Sequence, residues 1–106
     1  MLSNTPPPPY YAVIFSSLRT KNNDDYAETN ALMNQLALKQ DGFLGMEDAS
    51  SDIGISISYW RDLAAIKKWK ENLAHKDAQE KGRQLWYHQY KVRIANVERE
   101  YEFLKK

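Results

Sequence analysis

The chain of 106 residues is 42% hydrophobic and 12% aromatic, carries a formal charge of +1 and has no cysteine. That describes one globular domain rather than two or a disordered segment, with no electrostatic field for nucleic acid or an anionic membrane. Without cysteine there is no disulfide framework, no thiolate nucleophile and no cysteine-ligated metal, which suits a reducing compartment.

No apolar run nears the roughly 18 residues of a membrane helix, and the first residues lack the basic start and apolar middle of a secretion signal. The expectation is a soluble, cytoplasmic protein with no membrane or nucleic-acid partner.

Residues 1–9 read as a proline-rich arm ending in Pro6-Pro7-Pro8-Pro9. Such a run favours polyproline II and cannot donate to a sheet ladder. It leads into the first strand, or it docks on a proline-binding module. Residues 10–106 are the domain proper. Tyr10–Leu18 is β-branched, aromatic and nearly continuously apolar, as a central strand is. Asn23, Asp24 or Asp25 can cap the helix that follows, Asp25 and Glu28 having the spacing of a capping box. That helix runs to about Gln40 on an apolar face of Tyr26, Met33, Leu36 and Ala37, flanked by Leu32. Gly42 suits the left-handed stop.

Phe43–Ala49 and Ile53–Trp60 form a hairpin across a short polar turn. The second of them alternates strictly. Ile53, Ile55, Ile57 and Tyr59 share one face, expected to be core; Gly54, Ser56, Ser58 and Trp60 share a small, polar one. Asp62 caps a second helix with Ile66, Trp69 and Leu73 at helical spacing. A bend is expected at Leu73–His75, then a further run to about Trp86 with Ala74, Ala78 and Gly82 as a stripe of small residues. The last strand, Gln89 to about Leu104, spans on the order of 50 Å at about 3.3 Å per residue, too long for its neighbours. Its apolar phase switches from Tyr90, Val92 and Ile94 to Val97, Tyr101 and Phe103, which predicts a β-bulge at Ala95–Asn96.

The order β-α-β-β-α-β predicts an α+β, ferredoxin-like fold, with an antiparallel four-stranded sheet and both helices on one face. The bare face and the overlong strand predict a homodimer joined through the sheet face and the C-terminal strand.

Seven stretches resemble the antibiotic biosynthesis monooxygenase family in order and spacing. They are Tyr11–Ser17, Asp41–Glu47, Ile57–Trp60, Ala65–Lys70, His75–Gln79, Trp86–Tyr90 and Val97–Tyr101. Asp41 stands where the family usually has proline. The resemblance implies a dimeric α/β barrel with a pocket between helices and sheet. It implies activities that include cofactor-independent oxygenation of polyphenols or quinols, and heme degradation. The heme-degrading branch has its pocket tryptophan at Trp69. Gln79, however, stands where that branch has its iron-binding histidine, and its strand-one asparagine has no counterpart among Val13 to Ser17. No cofactor is expected, heme included.

The candidate catalytic residue is His75, whose imidazole titrates nearest neutrality and follows the predicted bend; a solvated or capping histidine is the plainer reading. Trp60, Trp69, Leu73, Ala78 and Gln79 are the candidate substrate-binding residues. Trp69 is equally a core anchor, and Trp60 lines the pocket or plugs the dimer interface. The tyrosines offer oxyanion donors, but no spacing selects one. His75 and His88 stand apart, and no metal-ligand cluster is present. The function expected is oxygenation of a small phenol- or quinol-like aromatic without a bound cofactor. The alternatives are a small-molecule-binding dimer and a purely structural one.

Overall fold

Strand β1 (Tyr10–Arg19) leads through a polar connection to α1 (Tyr26–Leu38), then β2 (Phe43–Ser50) and β3 (Gly54–Trp60). Helices α2 (Leu63–Glu71) and α3 (Leu73–Lys81) follow, then a π-helical turn over Gly82–Trp86 and strand β4 (Tyr87–Val97). The structure, a computed structural model, describes residues 2–105, and the side chains of Leu73 and Ala74 lie outside that description. The sheet order is β2-β3-β1-β4 with every neighbour antiparallel. This is the ferredoxin-like α+β fold expected from the element order, with the second helix delivered in pieces.

Register assigns the two faces. Tyr11, Val13 and Phe15 lie opposite Trp60, Ser58 and Ser56, and cross-strand partners share a face. Trp60, Ala65 and Ile66 are the buried core cluster, with Tyr11, Val13, Phe43 and Trp69 packed on it. The core therefore lies on the small face of β3, not on the isoleucine face. Ile53 and Ile55 remain 53% and 43% exposed. The reason is local: α2 starts three residues after Trp60, and the serines leave room for aromatic rings. Ser58 Oγ accepts the Trp60 indole N–H at 2.8 Å, satisfying it inside the core. Trp60 accordingly faces the helices, which overturns its reading as a plug in the outer face.

Three further expectations are corrected. Asp25 is the N-cap of α1 but adopts φ 58° and makes no side-chain cap, so the capping box is absent. The bend falls at Asn72, which separates α2 from α3 with ψ 129°, rather than at Leu73–His75. The β1–β4 ladder runs unbroken from Tyr10↔Val97 to Leu18↔Gln89 and slips only before Arg19↔Tyr87, so no bulge sits at Ala95–Asn96. With the ladder intact, Val92 and Ile94 face the helices while Ala95 and Val97 face away. The phase switch in the sequence thus marks a change in which face is apolar, not an extra residue. Strand β4 ends at Val97 rather than near Leu104, and Tyr101, Phe103 and Leu104 are 98%, 85% and 81% exposed.

The turn into β2 is set by Gly42, at φ +88°. Its carbonyl accepts the Arg61 amide at 2.7 Å, and a Cβ there would lie 2.6 Å from the Ala65 Cβ. Gly42→Ala is expected to cost about 1–3 kcal/mol from backbone strain alone, with the clash added. A fall in the urea midpoint at constant m-value would register it. Beside this turn Asp41 receives the Arg61 guanidinium through two bonds of 3.0 Å. The pair is exposed, so it orients the turn more than it stabilises it.

Candidate functional site

On the helix-facing side, aromatic rings run outward from the core. Phe43 meets Trp60 edge-on at 5.3 Å, Trp60 stacks on Trp69 at 6.1 Å, and Trp69 stacks on His75 at 4.4 Å with 15° between planes. Trp60 is fully buried, so it backs Trp69 without offering surface of its own. Trp69 and His75 are partly buried.

Local sequence explains why His75 meets Trp69. Asp62 caps α2, its Oδ1 accepting the Ala65 amide at 2.8 Å. Ile66 and Trp69 then fall on one face of the helix. At Asn72 the chain turns, and His75 swings back so that Nδ1 lies 3.0 Å from the Trp69 carbonyl oxygen. A carbonyl only accepts, so Nδ1 carries the proton and Nε2 keeps its lone pair. Burial lowers the His75 pKa; the bond to the Trp69 carbonyl opposes this, and Lys70 adds to the lowering. The imidazole is therefore neutral near pH 7 and able to take a proton at Nε2.

A second cluster lies at the other end of the same face. Phe15 stacks on Tyr90 at 5.2 Å and meets Tyr87 at 5.3 Å, while Tyr26 meets Trp86 at 5.3 Å. The Arg19 guanidinium lies 3.5 Å above the Tyr26 ring, a cation–π contact. Burial, followed by Tyr26, raises the Tyr87 pKa, so its phenol stays protonated and can donate. The π turn is clasped to the end of β1. Thr20 N and Oγ1 donate to the Trp86 and Leu85 carbonyls at 2.7 and 2.6 Å, and the Trp86 indole donates to Asp24 O at 2.8 Å.

Between the clusters the floor is not sealed. Val13, Phe15, Ser56 and Ser58 lie on the two central strands, yet all are only partly buried. On the same face of edge strand β4, Val92 and Ile94 are 46% and 54% exposed. The arrangement is an apolar floor with an imidazole toward one end and phenols toward the other. Two recesses lie elsewhere: one of about 240 Å³ beside Ser16, Leu18, Ile53, Lys91 and Arg93, and one of about 440 Å³ beside Leu2, Met46, Glu47 and Asp48.

Of the residues singled out from sequence, the structure brings His75, Trp69 and Trp60 together. Leu73 lies outside the described side chains. Ala78 and Gln79 sit farther along α3, partly buried, and no hydrogen bond or ring contact described joins them to this stack. Sequence reasoning missed the cluster of Arg19, Tyr26, Tyr87 and Tyr90, whose members come from three separate elements. Among the described residues no group of three or more His, Cys, Asp or Glu side chains is placed to hold a metal ion, and no helix is long and apolar enough to cross a membrane.

Residues 9–81 match the family described as antibiotic biosynthesis monooxygenase. The chain belongs to the antibiotic biosynthesis monooxygenase family. It is 48% identical over 101 residues to the uncharacterized protein YqjZ of Bacillus subtilis (strain 168), covering 93% of this chain and 89% of that one. Its fold is similar to that of SnoaB, described as a cofactor-independent oxygenase from Streptomyces nogalater. The TM-score is 0.74 at 10% identity, over 88% of this chain and 97% of the other. A conserved protein from Methanosarcina mazei Go1 is similar at TM-score 0.73 and 10% identity, over 82% and 91%. At these identities the structural likeness concerns the fold alone, and the chemistry of this family member has to be argued from its own side chains.

Proposed function

We propose that this family member is a cofactor-independent monooxygenase of a small phenol- or quinol-like aromatic. The observation that carries the reading is the neutral His75 imidazole, held by Trp69 on both its ring face and its Nδ1. Family membership and the likeness to SnoaB support the same class of chemistry.

The apolar floor of Val13, Phe15, Val92 and Ile94 suits a planar ring, and Trp69, stacked on both Trp60 and His75, holds the imidazole in place beside it. His75 Nε2 removes the phenol proton. The resulting phenolate is electron-rich enough to pass one electron to O₂, and the radical pair combines at a ring carbon to give a peroxide. Loss of the ring proton and cleavage of the O–O bond release water and leave a quinone, so one O₂ converts a phenol into a quinone and one water. The protein's part is to hold the anion against the apolar floor and to move the proton. Oxygen uptake against a panel of phenols, quinols and naphthols tests this. Uptake in step with quinone formation supports it, and absence of uptake across substrates that bind excludes it.

A second reading keeps the same apolar floor as a binding site without chemistry. It draws on the separation of His75 from the phenols at the other end of the floor. Saturable binding without oxygen consumption selects it.

The working form proposed is a homodimer joined through the outer sheet face and the C-terminal segment that follows β4. Ile53, Ile55, Leu18, Tyr101, Phe103 and Leu104 are all exposed in one copy, a larger apolar surface than a lone small domain ordinarily leaves in water. Sedimentation should give twice the chain mass. Tyr101→Asp with Phe103→Asp should weaken association by on the order of 100-fold or more, because each large side chain contributes about 1.5–3 kcal/mol when buried. An unchanged dimer would remove the segment that follows β4 from the interface.

A further inference from the structure

We infer that Asn72 is a positioning residue: by ending α2 it turns the Trp69 carbonyl into the acceptor that selects the His75 tautomer with a free Nε2. The inference rests on the reading of His75 as the base, but the geometry it uses is independent of any reaction.

In a helix running on through residue 72, the carbonyl of Trp69 would accept the amide of residue 73. Asn72 instead adopts φ −61° and ψ 129°. The Trp69 oxygen then takes the tight last-turn bond from the Asn72 amide at 3.1 Å, and it takes His75 Nδ1–H at 3.0 Å. Asn72 also begins the next helix. Its Oδ1 accepts the His75 amide at 3.2 Å, three residues on, and its carbonyl accepts the Lys76 amide at 2.9 Å. The first of these is the bond of a helix N-cap, for which asparagine is among the preferred residues. Asn72 thus stops α2 through its backbone and starts α3 through its side chain, and by holding the His75 amide it brings the imidazole to the Trp69 carbonyl. Among the described residues no hydrogen bond engages Nε2 and no carboxylate pairs with His75. Lys70 is the charged group whose field reaches the ring. With no acidic orienter among the described residues, the backbone carbonyl does the work that a carboxylate does in many acid–base pairs.

A plain structural cap would also explain the conformation of Asn72, so the test reads the imidazole rather than stability. Long-range ¹H–¹⁵N spectra of the full chain at neutral pH should show His75 with Nδ1 protonated and Nε2 unprotonated. Asn72→Leu removes the cap and favours a continuous helix, and should shift His75 toward the Nε2–H tautomer preferred in water. Asn72→Ser, a capping residue, should keep the wild-type pattern. Two results overturn the inference: a wild-type chain with Nε2 protonated, or a folded Asn72→Leu variant with the tautomer unchanged. The wild-type spectrum decides even where Asn72→Leu does not fold. Where a substrate turns over, Asn72→Leu should lower kcat with KM little altered. Absence of turnover in the wild type would overturn the oxygenase reading and leave the tautomer result standing.

Discussion

His75→Gln should lower oxygen uptake on an accepted phenol by roughly 10²–10⁴-fold, the range over which a positioned acid–base group contributes. Glutamine fills much the same space and can still reach the Trp69 carbonyl, so packing survives while the basic nitrogen is lost. The pH profile should carry the same signature. Burial lowers the His75 pKa, so the active, neutral form persists below the usual imidazole value of about 6.5. The rate should hold through neutrality and fall only as acid charges the ring. Stability follows the same sign. The unfolded chain binds a proton on His75 more readily than the folded one, so this contribution is present above about pH 6.5 and is lost as pH falls through the lower, folded value. A His75→Gln rate equal to wild type, or a profile indifferent to that substitution, would move the base elsewhere.

Trp60→Ala should destabilise the domain by about 3–5 kcal/mol, the range for deleting a large buried aromatic. Trp60 is fully buried, it meets Phe43 at 5.3 Å and Trp69 at 6.1 Å, and its indole N–H is bonded to Ser58. Domains of this size hold about 5–15 kcal/mol in all, so much of the folded population at 37 °C is at risk. Trp60→Phe should cost less, since it keeps most of the apolar contact and gives up the bond to Ser58. Chemical denaturation followed by circular dichroism measures both. Any Trp60→Ala protein that remains folded in the cold should also lose activity, because the stack that holds Trp69 against His75 has lost its backing. Full stability with the indole removed would mean that Ala65, Ile66 and Phe43 close the core without it.

Much of the fold was legible in advance because it follows from short-range patterns. The apolar run of Tyr10–Leu18, the alternation from Ile53 to Tyr59, the cap at Asp62 and the helical spacing of Ile66 and Trp69 each depend on neighbours a few residues away. Their order leaves few topologies open. The proximity of Trp69 and His75 was half visible: both were singled out, but their contact depends on a break at Asn72 that looks in the sequence like one more polar residue.

Three matters were decided only in three dimensions. Which side of β3 is core could not be read from its isoleucines, because hydrophobicity alone does not say where the helices lie; α2 follows Trp60 at once and covers the serine face. The phase switch in β4 looked like a bulge because a sequence does not show that the apolar requirement can change faces along a straight strand. The phenols at the far end of the floor became a cluster only when β1, α1 and β4 came together. Local spacing and order were thus enough to determine the elements and their connection, since these are set by neighbouring residues. Which face is covered, which tautomer His75 holds and which tyrosines share a site depend on contacts between residues far apart in the chain, and those exist only once the sheet has formed.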